Sequence, residues 1–277
     1  MGRRTVGTWC TAVALVLIST AGNADEKCGS ASLPSGVSAT FVLKSLTNNT
    51  IKTLCGDADA RHAPWSTFKI PNTLIALETG VLDPARSRRE WDRKKHPARP
   101  FWPRAWRGAQ TLRTAFKNSV VWYYRDLAEA VGTSRYRKHL TAFGYGNAEP
   151  GNAITAFWLG GPLALSPAEQ SEFLDKLATG SLPVSSAHVT TLKDIAQVDK
   201  RGKFTVYGKS GSGPVKPGQF SGPFEGWYVG WLEADSRPTV AFAVYMKGPS
   251  FKSIRTLRQS IAFQLLEAEG YLPSKRL

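Results

Sequence analysis

Histidine and cysteine are scarce in this chain: four and three residues respectively among 277. His62, His96, His139 and His188 form no paired ligand spacing and the cysteines stand apart, so no metal site is expected. Long apolar runs are missing too. The run Val13–Ile18 is too short to span a bilayer, and no later stretch is long enough, so no membrane anchor is expected. Acid is in short supply, with 21 Asp and Glu against 36 Lys and Arg, a formal net charge of +15. There is no Gly-x-Ser-x-Gly elbow. Gly208-Lys209-Ser210 is not a phosphate-binding loop, because the glycine needed five residues earlier is Lys203.

The first 24 residues have the pattern of a signal peptide. Arg3 and Arg4 precede the short apolar run, and Gly22-Asn23-Ala24 offers small residues for cleavage. The expectation is an exported, periplasmic protein with a single domain over 25–277. Cys28 and Cys55 could bridge in that compartment; the alternative is two buried thiols. Much of the positive charge gathers between Arg86 and Arg107, interleaved with Trp91, Trp102 and Trp106. No nucleic-acid motif follows, so a solvated surface that attracts anions non-specifically is expected.

Hydrophobic periodicity gives an order of elements. Residues 39–46 and 50–55 read as paired strands around Asn48-Asn49. A helix opens near Ser66 and ends by Gly80. Residues 83–107, with Pro84, Pro97, Pro100 and Pro103, read as a winding surface segment. Helices are expected over 109–118, then where Val120–Tyr124 leads into Leu127, Ala128 and Val131 and is closed by Gly132, and over 134–143. Ser166-Pro167-Ala168-Glu169 has an N-cap serine, proline at N1 and glutamate at N3, so another helix should run from there to about Ala178. Strands return at 203–213, 227–234 and 239–246, and an amphipathic helix over 253–269 closes the chain. Strands at both ends and helices between them predict an α+β fold. An antiparallel sheet from 25–80 and 201–277 is flanked by N- and C-terminal helices, with a helical lobe over about 81–200 inserted.

Within this frame, Ser66-Thr67-Phe68-Lys69 places a hydroxyl and an amine one helical turn apart, at a helix N-terminus and amid apolar residues. That is the make-up of an acyl-transfer nucleophile; the bland alternative is an N-cap serine with a solvated lysine. Lys209-Ser210-Gly211 follows a strand, where glycine permits close approach of a ligand to the strand edge. With Ser119-Val120-Val121 and Tyr145-Gly146-Asn147, four motifs stand in order. Together they resemble the class D (oxacillinase-type) serine β-lactamases, over about residues 39 to 272.

The resemblance implies hydrolysis of penicillin-type antibiotics through a Ser66 acyl-enzyme. It implies an N-carboxylated Lys69 as general base, with carbon dioxide as a covalent adduct and no other cofactor. Trp158 and Val121 would flank that carbamate. Backbone N–H groups of Ser66 and Ser212 would form the oxyanion hole, and Ser119 would relay a proton with Lys209. Lys209, Ser210, Gly211 and Arg258 would meet the substrate carboxylate. The expected partner is a small β-lactam and no nucleic acid, the chain acting as a monomer or homodimer. Two alternatives share the nucleophile: a β-lactam sensor domain and a cell-wall D,D-transpeptidase or carboxypeptidase. The absent membrane helices and Val121 argue against the first, and the Trp158 segment against the second.

Overall fold

The computed structural model describes residues 1–2 and 27–274. The expected signal peptide and its cleavage site lie outside the described residues. From Lys27 the described residues open with a small two-stranded ribbon, β1 (Lys27–Cys28) and β2 (Ala31–Ser32), which was not expected. A hairpin follows, β3 (Ser38–Ser45) and β4 (Thr50–Cys55). Cys28 and Cys55 are disulfide-bonded, with Cα atoms 4.9 Å apart, so the ribbon is tied to the end of β4.

Helix α1 (Lys69–Glu78) comes next, entered through a 3₁₀ turn over Trp65–Phe68. Past it the chain winds through two short 3₁₀ turns before α2 (Leu112–Lys117), α3 (Val121–Val131) and α4 (Thr133–Phe143). The expected helix start at 109 moves to Leu112 because Thr111 caps it, accepting a hydrogen bond from the Thr114 amide. Helix α5 (Pro167–Ala178) has the anticipated capping box: Ser166 Oγ accepts from the Glu169 amide, and Glu169 accepts from the Ser166 amide.

The helix α6 (Ser186–Ala196) was not anticipated, and the chain then enters β5 (Gln197–Arg201). The last residues of the expected helical stretch therefore belong to the sheet. Three long strands follow: β6 (Phe204–Pro214), β7 (Phe224–Ala234) and β8 (Arg237–Gly248). The β7–β8 turn has only Asp235 and Ser236 at its tip, both at positive φ, the conformation that matches strand twist in two-residue hairpins. The C-terminal helix is broken in two, α7 (Phe251–Ile254) and α8 (Leu257–Ala268), where one helix over 253–269 was expected. Ser250 caps α7, and the Thr256 carbonyl accepts from the Gln259 and Ser260 amides to start α8 afresh.

Six strands form one antiparallel sheet in the order β4-β3-β8-β7-β6-β5. Alternation along the strands serves two cores. Tyr228, Leu232, Phe242 and Val244 pack with Ile261 and Leu265 of α8 on one face. Trp227, Val229, Trp231 and Ala243 pack against α1, α3 and α5 on the other. The sheet is thus a filled layer between helices, and its β6 strand borders the site.

Candidate active site

Ser66 sits in the 3₁₀ turn before α1 rather than on the helix itself. Pro64 O accepts from the Thr67 amide and from Thr67 Oγ1, and Trp65 holds a positive φ of 51°. The Trp65 amide donates to Trp158 O at 3.0 Å. Within Pro64–Ile70 only Ser66 is partly exposed; the apolar residues around it hold the turn, and the hydroxyl is presented outward.

Lys69, the first residue of α1, is fully buried, and its Nζ lies 2.8 Å from Ser66 Oγ. Burial drives its pKa well below the usual lysine value, and the nearby charges of Lys209 and Arg125 push the same way. Across this contact Lys69 Nζ donates to Ser66 Oγ, and the environment favours the neutral amine. Lys69 Nζ also stands 5.1 Å from the Tyr124 ring centroid.

Ser119 terminates α2 in the left-handed region, at φ 58°. Its amide donates to Phe116 O and the Val120 amide to Ala115 O, closing the helix end in a position that usually needs glycine. A serine kept there is a strained residue, and such strain gathers at functional sites. The strain aims Ser119 Oγ at Lys209 Nζ, 3.2 Å away. Lys209 Nζ also donates to Ser210 O at 2.8 Å. Burial, with Arg258 nearby, lowers the pKa of Lys209 to about 7.

The β6 strand brings the rest. β5 pairs with it only as far as Tyr207, so from Gly208 onward that edge of β6 has no neighbouring strand. The edge faces the Ser66 turn instead. A Cβ built on Gly211 would lie 2.8 to 2.9 Å from Pro64 O and from the Thr67 and Ser66 amides. Only glycine allows this approach, which brings the Ser212 segment beside the Ser66 amide. Ser210 and Ser212 point to the opposite sheet face, and both stay partly exposed.

That second face holds Arg258, on α8. It is 5% exposed, and its Nε and Nη1 are buried without a hydrogen-bond partner. Burial lowers its pKa to about 10. A Cβ on Gly226 would lie 2.9 Å from Arg258 Nη1, so that glycine makes the room for the guanidinium. Gly226 pairs with Ser212 across the β6–β7 ladder. Its role was missed from the sequence, where a glycine inside a strand was the available signal.

Trp158 belongs to the same core as Phe68 and Ile70, on either side of Lys69. Its ring stacks on Phe68 with centroids 5.3 Å apart, and its indole Nε1 is buried with no partner. Buried N–H groups are rarely left unpaired, and among the described residues this donor has no acceptor. The Tyr145-Gly146-Asn147 turn positions the Trp158 loop. Asn147 Nδ2 donates to Pro162 O, and Asn147 Oδ1 accepts from the Ala164 amide. A Cβ on Gly146 would strike Ala164 O at 2.2 Å. Val121, the first residue of α3, is half-buried.

Ser66, the buried Lys69 amine, Ser119 and the buried cations Lys209 and Arg258 are thus brought together from four separate stretches of chain. The chain matches the penicillin-binding-protein transpeptidase domain over residues 42–267. It is 34% identical to the β-lactamase OXA-5 of Pseudomonas aeruginosa over 237 residues, 85% of each chain. Among solved structures, it resembles the class D β-lactamase FUS-1 (OXA-85) of Fusobacterium nucleatum subsp. polymorphum with a TM-score of 0.76. The two are 31% identical, over 86% of this chain and 94% of that one. It also resembles the C-terminal domain of the Bacillus licheniformis BlaR penicillin-receptor, at a TM-score of 0.76 and 26% identity, over 86% of this chain and 92% of that one. The chain belongs to the class D serine β-lactamases, within the penicillin-binding transpeptidase-domain family.

Proposed function

We propose that this protein hydrolyses the β-lactam amide of penicillin-type antibiotics and so confers resistance, acting after export to the periplasm. The observation that carries the reading is the contact of Ser66 Oγ with a fully buried Lys69 whose ammonium form is disfavoured. Ser66 attacks the lactam carbonyl, and its proton leaves toward the Lys69 side. The oxyanion forms beside the backbone amides of Ser66 and Ser212. Ser119 passes a proton to the departing ring nitrogen, with Lys209 behind it. The substrate carboxylate meets Ser210, Lys209 and the unpaired N–H groups of Arg258; Gly211 keeps the strand edge open to it.

The surroundings of Lys69 fit N-carboxylation. A neutral amine is the reactive form, the two charges that influence it are both cationic, and Trp158 Nε1 has no acceptor of its own. Carboxylated with carbon dioxide, Lys69 would supply an oxygen base for the Ser66 proton and for the deacylating water. Trp158 would donate to it and Val121 would cover its flank.

The second reading is a sensor domain that keeps its acyl adduct, favoured by the likeness to the BlaR receptor domain. The test is hydrolysis of a chromogenic β-lactam with bicarbonate present, followed past one enzyme equivalent. Sustained turnover is expected. A stoichiometric burst that stops would replace the enzyme with the sensor, and no burst would remove the acylation chemistry altogether.

A further inference from the structure

The α3 helix carries a charge that the acylation chemistry leaves unused. Val121, Tyr124 and Arg125 lie on one side of α3, since residues three and four apart share a helical face. Tyr124 from this side approaches Lys69 Nζ, and its hydroxyl lies 3.1 Å from Thr73 Oγ1 of α1. Arg125 is half-buried, and its Nε is buried with no hydrogen-bond partner.

Among the described residues no carboxylate pairs with Arg125, and the cause is local. Glu129, four residues on, is the natural helical partner for Arg125. Instead Glu129 Oε2 accepts from Lys95 Nζ at 2.5 Å. Asp126 is also engaged, with Lys95 at 2.6 Å and His96 Nε2 at 2.8 Å. The charge nearest Arg125 in effect is Arg99, another cation, which together with burial lowers the Arg125 pKa. Arg125 is half-buried, its two neighbouring acids pair with Lys95, and it directly follows Tyr124, whose ring stands 5.1 Å from Lys69 Nζ, so its positive charge acts on Lys69.

We infer that Arg125 is the counter-charge of a carboxylated Lys69: a positioning residue that acts through Lys69 and does not touch the β-lactam. The inference rests on the carbamate reading above. In carboxylation the Lys69 Nζ lone pair attacks the carbon of CO₂. An N–C bond forms, one C=O π bond opens to give the carboxylate, and the amine proton leaves to water. The side chain passes from neutral amine to anion, while the competing ammonium is a cation. A fixed positive charge therefore disfavours the unreactive form and stabilises the product, both in the direction of carboxylation. Lys209 exerts the same sign of field but is committed to Ser119 and the substrate. Arg125 has no such task.

The test is a bicarbonate titration of the degassed full chain with ¹³C-bicarbonate, reading the carbamate signal by NMR. Wild type, Arg125→Lys, Arg125→Gln and Lys95→Met are compared. Arg125→Gln should need about tenfold more bicarbonate for half-saturation, the effect of about one pKa unit. Arg125→Lys keeps the charge and should stay within about twofold of wild type. Lys95→Met leaves Arg125 in place but frees Glu129 to pair with it, and should raise the requirement about threefold. This exposed-side variant reports even where Arg125→Gln fails to fold. Unchanged titrations in Arg125→Gln and Lys95→Met, or an equal loss in Arg125→Lys and Arg125→Gln, would overturn the inference while leaving the carbamate in place. No carbamate signal in wild type would overturn the Lys69 reading and this inference with it.

Discussion

Lys209 is the residue at which catalysis and stability conflict most openly. It is 6% exposed, pairs with no carboxylate among the described residues, and its pKa falls to about 7 against an ordinary 10.5. The folded chain therefore holds this proton less tightly than the unfolded chain does. The cost is complete below about pH 7, and it is relieved as pH rises from about 7 towards 10.5. Its full size is of the order of 5 kcal/mol. Lys209→Met removes the cation but gives up the contacts with Ser119 and Ser210. We expect it to stabilise the fold by about 2 kcal/mol at pH 7, read as a rise in Tm, while kcat/KM falls by about 100-fold. A drop in Tm would show that the hydrogen bonds outweigh desolvation. The same pKa gives a pH prediction. If the protonated form receives the substrate carboxylate, wild-type kcat/KM should decline as pH rises through about 7, because that parameter reports the free enzyme. A flat profile between pH 6 and 9 would reject the assignment.

At the scale of elements, β6 and β7 build the site as much by omitted side chains as by present ones. Gly211 lets β6 touch the Ser66 turn, and Gly226 lets β7 receive Arg258. In Gly226→Ala the new methyl would lie 2.9 Å from Arg258 Nη1 and 3.1 Å from Gly211 O and Ile254 Cδ1; the guanidinium, the side-chain group most able to shift, should be displaced, with a small adjustment of β6 at Gly211. KM for carboxylate-bearing β-lactams should rise about tenfold with kcat little changed, the scale of one charged hydrogen bond lost. An unchanged KM in steady-state kinetics would remove Arg258 from carboxylate recognition. The broken C-terminal helix belongs to the same design: α8 restarts at Leu257 and buries Arg258 against the sheet.

For the whole molecule, the Cys28–Cys55 bridge closes a loop of 27 residues and lies at the far margin of the sheet from β6. The Cys28→Ser, Cys55→Ser pair should lower stability by about 3 kcal/mol, measured by denaturant unfolding, with kcat unchanged. Loss of kcat in the folded variant would mean that the ribbon supports the site. The +15 charge acts at longer range. An anionic β-lactam should be drawn in faster at low salt, so kcat/KM should fall as ionic strength rises. A neutral ester analogue showing the same fall would exclude steering.

Much of the fold was legible in local chemistry. The Ser166–Glu169 capping box, the β3–β4 hairpin and the alternation of β6 to β8 depend on neighbours in sequence, and the residues declare them. The order and spacing of the Ser66, Ser119, Tyr145 and Lys209 motifs likewise announced the family. What the sequence could not disclose depends on partners far along the chain. β5 joins the sheet because β6 offers it an edge, the Ser119 strain is aimed by Lys209 90 residues away, and Gly226 matters only once Arg258 arrives behind it. The orphaned donors of Trp158, Arg258 and Arg125 belong to that class too. Local pattern specifies which groups a chain carries. Whether a buried group keeps a partner is decided by packing, because only the closed tertiary structure excludes water and fixes which acids and carbonyls lie within reach.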